Sequence, residues 1–381
     1  MLRQPFAFAC SPKLLKYRSS VGCCAAVRAL AAAAVVLTLA ACGGGLGSSS
    51  PAGPPAVWTG ADIAVLIAQG DATSEAIGLA YQQARNVPEA NMIRLAVPRG
   101  SDAISAANFT ALKATLDARL PATVQGTLVT WMQPSRVVGT CSMGLTSALA
   151  FGYDARYCGL CSTTTESPYY NHDTRKPFTD LKLRPSMMLG AATLADAQAL
   201  INRGVAADRS FASGGATGQA FLVRTNDATR SVRFGDFQAL ASASVKGLTM
   251  RYVDNSAGGG SNIISGQNDV MFYFTGLFAV PQINSNRYLP GAVADHLTSV
   301  GGYLPNLGGQ MPATDWLLAG ATASFGTVEE PCSFSEKFPR ASVLLRHYAG
   351  GESLIEAYWK SVQWPGQGLF VGEPLARPWS P

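Results

Sequence analysis

The chain has little charge and little histidine, and no apolar run in it is long enough to cross a bilayer. Only 14% of the residues are charged and three are histidine, whereas 48% are hydrophobic. A disordered chain has the opposite balance, with few apolar residues and a high net charge. The apolar stretch Ala29–Leu39 falls short of the roughly 20 residues that a membrane span needs. The sequence therefore indicates a globular protein with a well-buried core.

Acidic residues are absent from the first 41 positions, which contain five basic residues. A basic segment followed by a short apolar stretch is typical of an export signal. The stretch ends in Leu39-Ala40-Ala41-Cys42, which reads as a lipobox, so we expect lipid attachment at Cys42. An ordinary cleaved signal peptide or an apolar N-terminal helix is the alternative. A Gly/Ser/Pro-rich segment follows and has the composition of a flexible tether.

The net charge of +5 belongs to this leader, because the rest of the chain has 24 basic and 24 acidic residues. A neutral chain has no electrostatic footprint for nucleic acid, and no nucleic-acid partner is expected. The expected partner is a membrane, reached through the lipid on Cys42. Gly43 is not the aspartate typical of inner-membrane retention, so we expect the outer membrane, facing the periplasm or the surface.

Four cysteines remain after the leader, and an oxidising compartment favours disulfides between them. They are Cys141, Cys158, Cys161 and Cys332. Four cysteines allow three connectivities, among which the sequence does not choose. Cys158 and Cys161 are spaced like a redox pair, but loop residues follow them rather than the helix that such a motif needs.

Strands and helices alternate along most of the chain. The run at 62–68 is continuously apolar, Asp71 is a candidate helix cap, and a second strand follows near residue 91. This strand–helix–strand order predicts a parallel sheet. We predict an α/β domain over residues 59–381, with a mainly parallel sheet flanked by helices. The leader occupies 1–42 and the tether 43–58.

A polar segment rich in cysteine, tyrosine and proline interrupts this pattern at about residues 133–185. So long a loop region in a compact domain is usually a functional insertion or a separately stapled lobe. Tyr170 lies in it, within Tyr-Tyr-Asn-His after Pro168. Exposed aromatic side chains in loops are candidate ligand contacts, so we predict that Tyr170 contributes to binding.

The C-terminal third contains four distinctive blocks and a closing motif. They are residues 290–299, 320–332, 337–339 and 351–360, followed by 365–378. This set resembles an uncharacterised family of exported bacterial proteins of about this length. The resemblance covers the chain from Asp62 onward and implies a fold rather than an activity.

The same region is distantly similar to gingipain-type cysteine peptidases, which have a caspase-like α/β sheet. It has a strand ending at Gly276, a small-residue strand before Gly326, and a terminal Gly372-Glu373-Pro374. The resemblance implies a caspase-like C-terminal half. The histidine expected after the Thr275 strand and the cysteine expected near Ser299 are both missing, and Glu373 stands where aspartate is usual.

A catalytic pair can still be proposed from residue types. Cys332 and His296 are the cysteine and histidine within these blocks, and imidazole can take the proton from a thiol nucleophile. Glu330 could orient the ring, or act as an acid or base beside Glu329. The alternatives are a disulfide at Cys332, a structural histidine at His296, and a strand end at Glu330-Pro331.

Ligands of open α/β sheets bind beyond the carboxyl ends of the strands. We expect Gly276, His296, Ser299, Glu330 and Cys332 all to lie just after candidate strands or in the following turns. Of these, Gly276 and Ser299 are candidate binding residues. We see no nucleotide motif, and we expect no cofactor and no metal. Two functions remain. The first is an exported lipoprotein with a hydrolase-like fold, acting on peptide or acyl substrates through His296, Cys332 and Glu330. The second is a non-catalytic binding or scaffold lipoprotein of the cell envelope that lacks the dyad.

Overall fold

The computed structural model describes residues 57–212, 215–305 and 309–381. Cys42, the leader and nearly all of the tether lie outside these residues. Trp58, predicted to end the tether, is buried, and its indole N–H donates to the Arg175 carbonyl at 2.7 Å. None of the helices described is long and apolar enough to cross a membrane.

Thirteen strands and nine helices are described. The strands are β1 Ile63–Ala68, β2 Met92–Leu95, β3 Ala103–Ser105, β4 Gly126–Val129, β5 Arg136–Val138, β6 Ser142–Gly144, β7 Ser186–Met188, β8 Gly218–Arg224, β9 Leu248–Asp254, β10 Val270–Thr275, β11 Tyr288–His296, β12 Ala323–Thr327 and β13 Gly368–Gly372. The helices are α1 Ala72–Arg85, α2 Ala106–Arg119, α3 Leu145–Phe151, α4 Pro177–Leu181, α5 Leu194–Ala207, α6 Phe234–Leu240, α7 Thr314–Leu318, α8 Ala341–Ala349 and α9 Leu354–Lys360.

Local sequence signals explain the first strand and helix. All six residues of β1 are buried, as a strand covered on both faces requires. Asp71 caps α1 by accepting the Ser74 backbone N–H at 2.9 Å. The helix ends at Asn86, which adopts the left-handed conformation that commonly terminates helices. These elements are those that the sequence predicts.

Ten strands form one sheet in the order β2-β1-β4-β7-β13-β12-β11-β10-β8-β9, and β3, β5 and β6 form a small second sheet. The large sheet consists of two parallel halves. The first half-sheet is β2, β1, β4, β7 and β13, and the second is β12, β11, β10, β8 and β9. They meet antiparallel at β12 and β13. The predicted α/β class with a mainly parallel sheet and flanking helices is confirmed.

This reversal gives the large sheet two separate edges at which a ligand site could form. Because the half-sheets run in opposite directions, the carboxyl ends of their strands lie at opposite edges of the large sheet. The predicted residues Gly276, His296, Ser299, Glu330 and Cys332 all follow or end strands of the second half-sheet. They therefore belong to one edge, as the sequence predicts.

The segment 133–185 is more ordered than a loop. It contains β5, β6, α3 and α4, and six of the seven residues of α3 are buried. Ser147 of that helix donates to the carbonyls of Pro365 and Gly368, at 2.6 and 2.8 Å. The insertion is thus partly integrated into the core beside β13 rather than forming a separate lobe.

The terminal Gly372-Glu373-Pro374 motif has a structural role. Glu373 is fully buried and accepts the Tyr81 hydroxyl at 2.9 Å. Its two carboxylate oxygens accept Nε and Nη2 of Arg85, at 3.0 and 2.7 Å, and Arg85 also pairs with Asp208 at 2.7 Å. Burial alone would lower the pKa of Arg85, but the Glu373 carboxylate raises it overall. This pair connects the end of β13 to α1.

Candidate functional site

The predicted edge begins at the ends of β8 and β10. Thr225 follows β8, and its hydroxyl donates to the Gly276 carbonyl at 2.7 Å. Gly276 is buried, and a Cβ atom built on it would lie 2.0 Å from the Arg230 carbonyl oxygen. The glycine therefore permits a close approach of two backbone segments. That packing role leaves no space at Gly276 for a ligand, so its predicted part in binding is not supported.

His296 ends β11 and is 2% exposed. Its Nδ1 accepts the Trp316 indole N–H at 2.9 Å, which leaves Nε2 to donate to the Met311 carbonyl at 3.2 Å. Burial lowers its pKa to about 3. A neutral ring with both nitrogens occupied cannot accept a proton from a nucleophile. The prediction that His296 is a catalytic base is therefore wrong, and the alternative of a structural histidine fits.

Cys332 forms a disulfide with Cys161, and Cys141 forms one with Cys158. All four disulfide candidates are thus paired, and the connectivity left open by the sequence is 141–158 and 161–332. A disulfide sulfur is not a nucleophilic thiolate, so the catalytic prediction for Cys332 is wrong for the oxidised protein.

Glu330 accepts the Cys332 backbone N–H at 2.8 Å and thereby shapes the turn that carries the disulfide. Its carboxylate and the sulfurs of Cys161 and Cys332 lie within 4.8 Å of one another. Because both sulfurs are in the disulfide, this group offers no thiolate ligand. Glu330 does not orient His296, because both ring nitrogens of His296 have other partners. The predicted catalytic role of Glu330 is therefore not supported.

Glu329 and Lys337 hold the Cys158–Cys161 loop against the domain. Glu329 accepts the backbone N–H groups of Ser142 and Leu160, at 2.9 and 3.2 Å. Lys337 donates to the Leu160 carbonyl, and burial lowers its pKa to about 8. The adjacent glutamates thus accept different hydrogen bonds, although both lie near the charge of Lys337. Together with the disulfide they fix the turn after β12.

Ser299 acts through its backbone. Its N–H, like that of Val300, donates to the Gln310 side-chain oxygen, at 2.8 and 3.0 Å. Its carbonyl accepts the Thr327 hydroxyl at 2.8 Å. These bonds close the loop after β11, and no contact of Ser299 supports its predicted role in binding.

Tyr170 lines a cavity of about 190 Å³ near this edge. The cavity lies between the insertion, the start of α6 and the segments before α8 and after α9. Its other lining residues are Val232, Arg233, Gly235, Asp236, Ser335, Glu336, Phe338, Arg340, Ser361 and Gln363. We call it the Tyr170 cavity. The sequence pointed to Tyr170 itself but not to the residues around it.

The charges of the Tyr170 cavity are partly neutralised by one another. Arg340 pairs with Asp236 at 3.2 Å, and interactions with Tyr170 and Asp236 raise the pKa of Arg340. Arg233 lies 2.7 Å from Asp295 of β11 and donates to the Thr275 carbonyl at 2.9 Å. Glu336 forms no ion pair with any residue that the structure describes. Among the described residues, the carboxylate of Glu336 therefore has no oppositely charged partner, although the Ser335 hydroxyl lies 3.4 Å from it.

Backbone hydrogen bonds and one buried ion pair hold the segment around Tyr170 in place. The Ser167 N–H donates to the Gln363 carbonyl at 2.8 Å, and the Asn171 N–H to that of Lys360 at 2.9 Å. Arg175 forms two 2.9 Å contacts with the fully buried Glu356 of α9. These bonds on both sides of Tyr170 fix the insertion to α9, so the cavity is preformed.

The sequence missed Arg233, Glu336 and Arg340. The block 337–339 marked this region without assigning it a role, and Arg233 had no motif around it. Glu336 and Arg340 flank this block in the sequence, but that position is not specific for a site.

No family model and no curated protein matches the chain. Among solved structures, a chain described as "Structure of Protease" aligns with a TM-score of 0.40 and 10% identity, over 84% of this chain and 79% of that chain. The likeness is too low to assign an activity or a substrate. The predicted membership of an exported family and the similarity to gingipain-type peptidases remain predictions.

Proposed function

We propose that this protein is a non-catalytic binding protein of the cell envelope, anchored through a lipid on Cys42, which recognises a basic side chain of a peptide in the Tyr170 cavity. The anchor is supported by the basic leader and the lipobox. An oxidising compartment is supported by the pairing of all four remaining cysteines.

One observation carries the choice of binding over catalysis. The cysteine–histidine pair within the C-terminal blocks, Cys332 and His296, has neither a free thiol nor a free ring nitrogen. A cysteine peptidase needs a thiolate and a base that can take its proton. Hydrolysis of peptide or acyl substrates through Cys332 and His296 is therefore the less favoured function.

The chemistry of the Tyr170 cavity supports a cationic ligand group. Glu336 supplies the unpaired carboxylate, and the rings of Tyr170 and Phe338 line the same cavity. A cation near an aromatic face and a carboxylate gains from both. A volume of about 190 Å³ suits one long side chain, so a lysine or arginine within a peptide fits best.

Binding of fluorescent tripeptides Ala-Lys-Ala, Ala-Arg-Ala and Ala-Glu-Ala to the purified chain tests this function. We expect the two basic peptides to bind and the acidic one not to bind. Glu336→Gln and Tyr170→Ala should each weaken binding at least tenfold. Leu79→Ala, at an exposed position of α1, is the matched control and should change nothing. Equal affinity for all three peptides, or cleavage of any of them, would overturn the proposal.

A further inference from the structure

The opposite edge of the large sheet contains a second cavity that none of the predictions above uses. From β1 the chain continues through α1 to β2 on one side of β1, and then through α2 to β4 on the other side. The strand order thus reverses between β1 and β4. In open α/β sheets, ligands bind beyond the carboxyl ends of the strands at such a switch point.

A cavity of about 260 Å³ occupies this position, and we call it the switch-point cavity. Residues that follow β1 and β4 line it, together with Arg99 and the segment after β7. The lining includes Asp71, Thr73, Ser74, Arg99, Thr130 and Trp131.

Hydrogen bonds between the two strand ends give the cavity a fixed floor. The Ser74 hydroxyl accepts the Ala68 N–H at 2.9 Å and lies 2.6 Å from the Thr130 hydroxyl. Thr130 in turn donates to the Leu66 carbonyl at 3.0 Å. Both hydroxyls therefore already have hydrogen-bond partners within the protein. They connect α1 to the ends of β1 and β4 and are not available to a ligand.

Hydrogen-bond donors remain around this floor. The first turn of an α-helix has N–H groups without intrahelical partners; Asp71 takes that of Ser74, and Thr73 lines the cavity in the same turn. Arg99 donates to the Gln69 carbonyl at 2.8 Å and forms no ion pair with a residue in the described part of the chain. The helix N-terminus and the guanidinium both favour a negative charge.

Trp131 gives an independent indication of a ligand. It lines the cavity and is 5% exposed, yet its Nε1 has no hydrogen-bond partner among the described residues. A buried donor without an acceptor costs about 1–3 kcal/mol. The Nε1 atom itself has almost no accessible surface, so a ligand that brings an acceptor to it must displace part of the lining and would then remove that cost.

We propose that the switch-point cavity binds the carboxylate of a small molecule, with Arg99, the first turn of α1 and the Trp131 indole N–H as donors. Asp71 adds a negative charge to the same lining. A singly charged carboxylate is therefore favoured over a doubly charged phosphate. The site is distinct from the Tyr170 cavity and does not depend on the function proposed for it.

Titrations of the full chain with acetate, propionate and inorganic phosphate, followed by NMR of ¹⁵N-labelled tryptophan, test the proposal. We expect the Trp131 indole signal to shift with a carboxylate and to saturate. Phosphate should bind at least tenfold more weakly. Arg99→Gln should weaken carboxylate binding at least tenfold, whereas Arg251→Gln, an exposed arginine on β9, should not.

Three results would overturn the proposal. The Trp131 signal could stay unchanged with every probe, Arg99→Gln and Arg251→Gln could behave alike, or phosphate could bind more tightly than the carboxylates. Trp131→Phe, which retains the ring and loses the donor, provides a second check and should also reduce carboxylate affinity. These experiments do not involve Glu336 or Tyr170. A negative result here therefore does not bear on peptide binding in the Tyr170 cavity.

Discussion

Trp316 donates its indole N–H to Nδ1 of His296 at 2.9 Å, and both side chains are almost fully buried. This bond fixes the tautomer of the ring, because Nε2 must then carry the proton that reaches the Met311 carbonyl. His296, the histidine that the sequence suggested as a catalytic base, is therefore a core residue between β11 and α7.

His296 should stay neutral in the folded protein far below its usual titration range. Burial, followed by the nearby charges of Arg233 and Arg230, lowers its pKa from 6.5 to about 3. The unfolded chain takes up a proton below pH 6.5 while the folded chain does not. The contribution of His296 to stability is thus present above pH 6.5 and is lost as the pH falls toward 3, by roughly tenfold in the unfolding equilibrium constant per pH unit.

NMR of the histidine rings between pH 4 and 8 measures this directly. A His296 signal that titrates near pH 6.5 would contradict the conclusion that this ring is buried and stays neutral.

The two disulfides should contribute unequally to stability. Cys161–Cys332 closes a separation of 171 residues and Cys141–Cys158 one of 17. In the chain-entropy account, a longer closed loop gives more stabilisation, typically about 2–4 kcal/mol per bridge. We expect the double variant Cys161→Ser/Cys332→Ser to lose more free energy of unfolding in urea than Cys141→Ser/Cys158→Ser. The reverse order would contradict this explanation.

Removing one partner of the buried Glu373–Arg85 pair should strongly lower the free energy of unfolding. Glu373→Gln leaves a buried guanidinium with reduced compensation, and losing one partner of such a pair typically costs about 3–5 kcal/mol. Lys113→Ala removes the more exposed pair with Asp117 on α2 and should cost less than about 1 kcal/mol. Thermal and urea unfolding of both variants provide the comparison, and similar losses for the two would rule out the assigned role of Glu373.

Cys42 should be the site of lipid attachment. In a Gram-negative host fed an alkyne fatty acid, the full precursor should incorporate the label and partition into detergent. Cys42→Ser should abolish both, whereas Cys24→Ser, within the leader, should abolish neither. Label that persists in Cys42→Ser would exclude the lipobox.

Elements with local signals were predictable from the sequence, and those that depend on distant contacts were not. The Asp71 cap and the apolar run of β1 specify their structures within a few residues. Tyr288–His296 contains Pro290 and Gly291, which weaken strand propensity, and only its neighbours in the sheet explain its conformation. The reversal of the sheet depends on β13, at the far end of the chain.

The candidate site was harder to predict for the same reason. The sequence correctly placed His296, Glu330 and Cys332 at one sheet edge, because carboxyl ends of parallel strands meet there. Their chemistry, however, is determined by residues far along the chain. Trp316 occupies one nitrogen of His296, and Cys161 occupies the sulfur of Cys332 from 171 positions away. Spacing alone contains no information about either contact.

Peptide mapping of the non-reduced chain, after rapid alkylation of free thiols, tests most directly whether the predicted nucleophile is absent. We expect the peptides containing Cys161 and Cys332 to be recovered crosslinked, with neither cysteine alkylated until a reductant is added. Recovery of Cys332 as a free, rapidly alkylated thiol would contradict the non-catalytic function and favour a cysteine hydrolase instead.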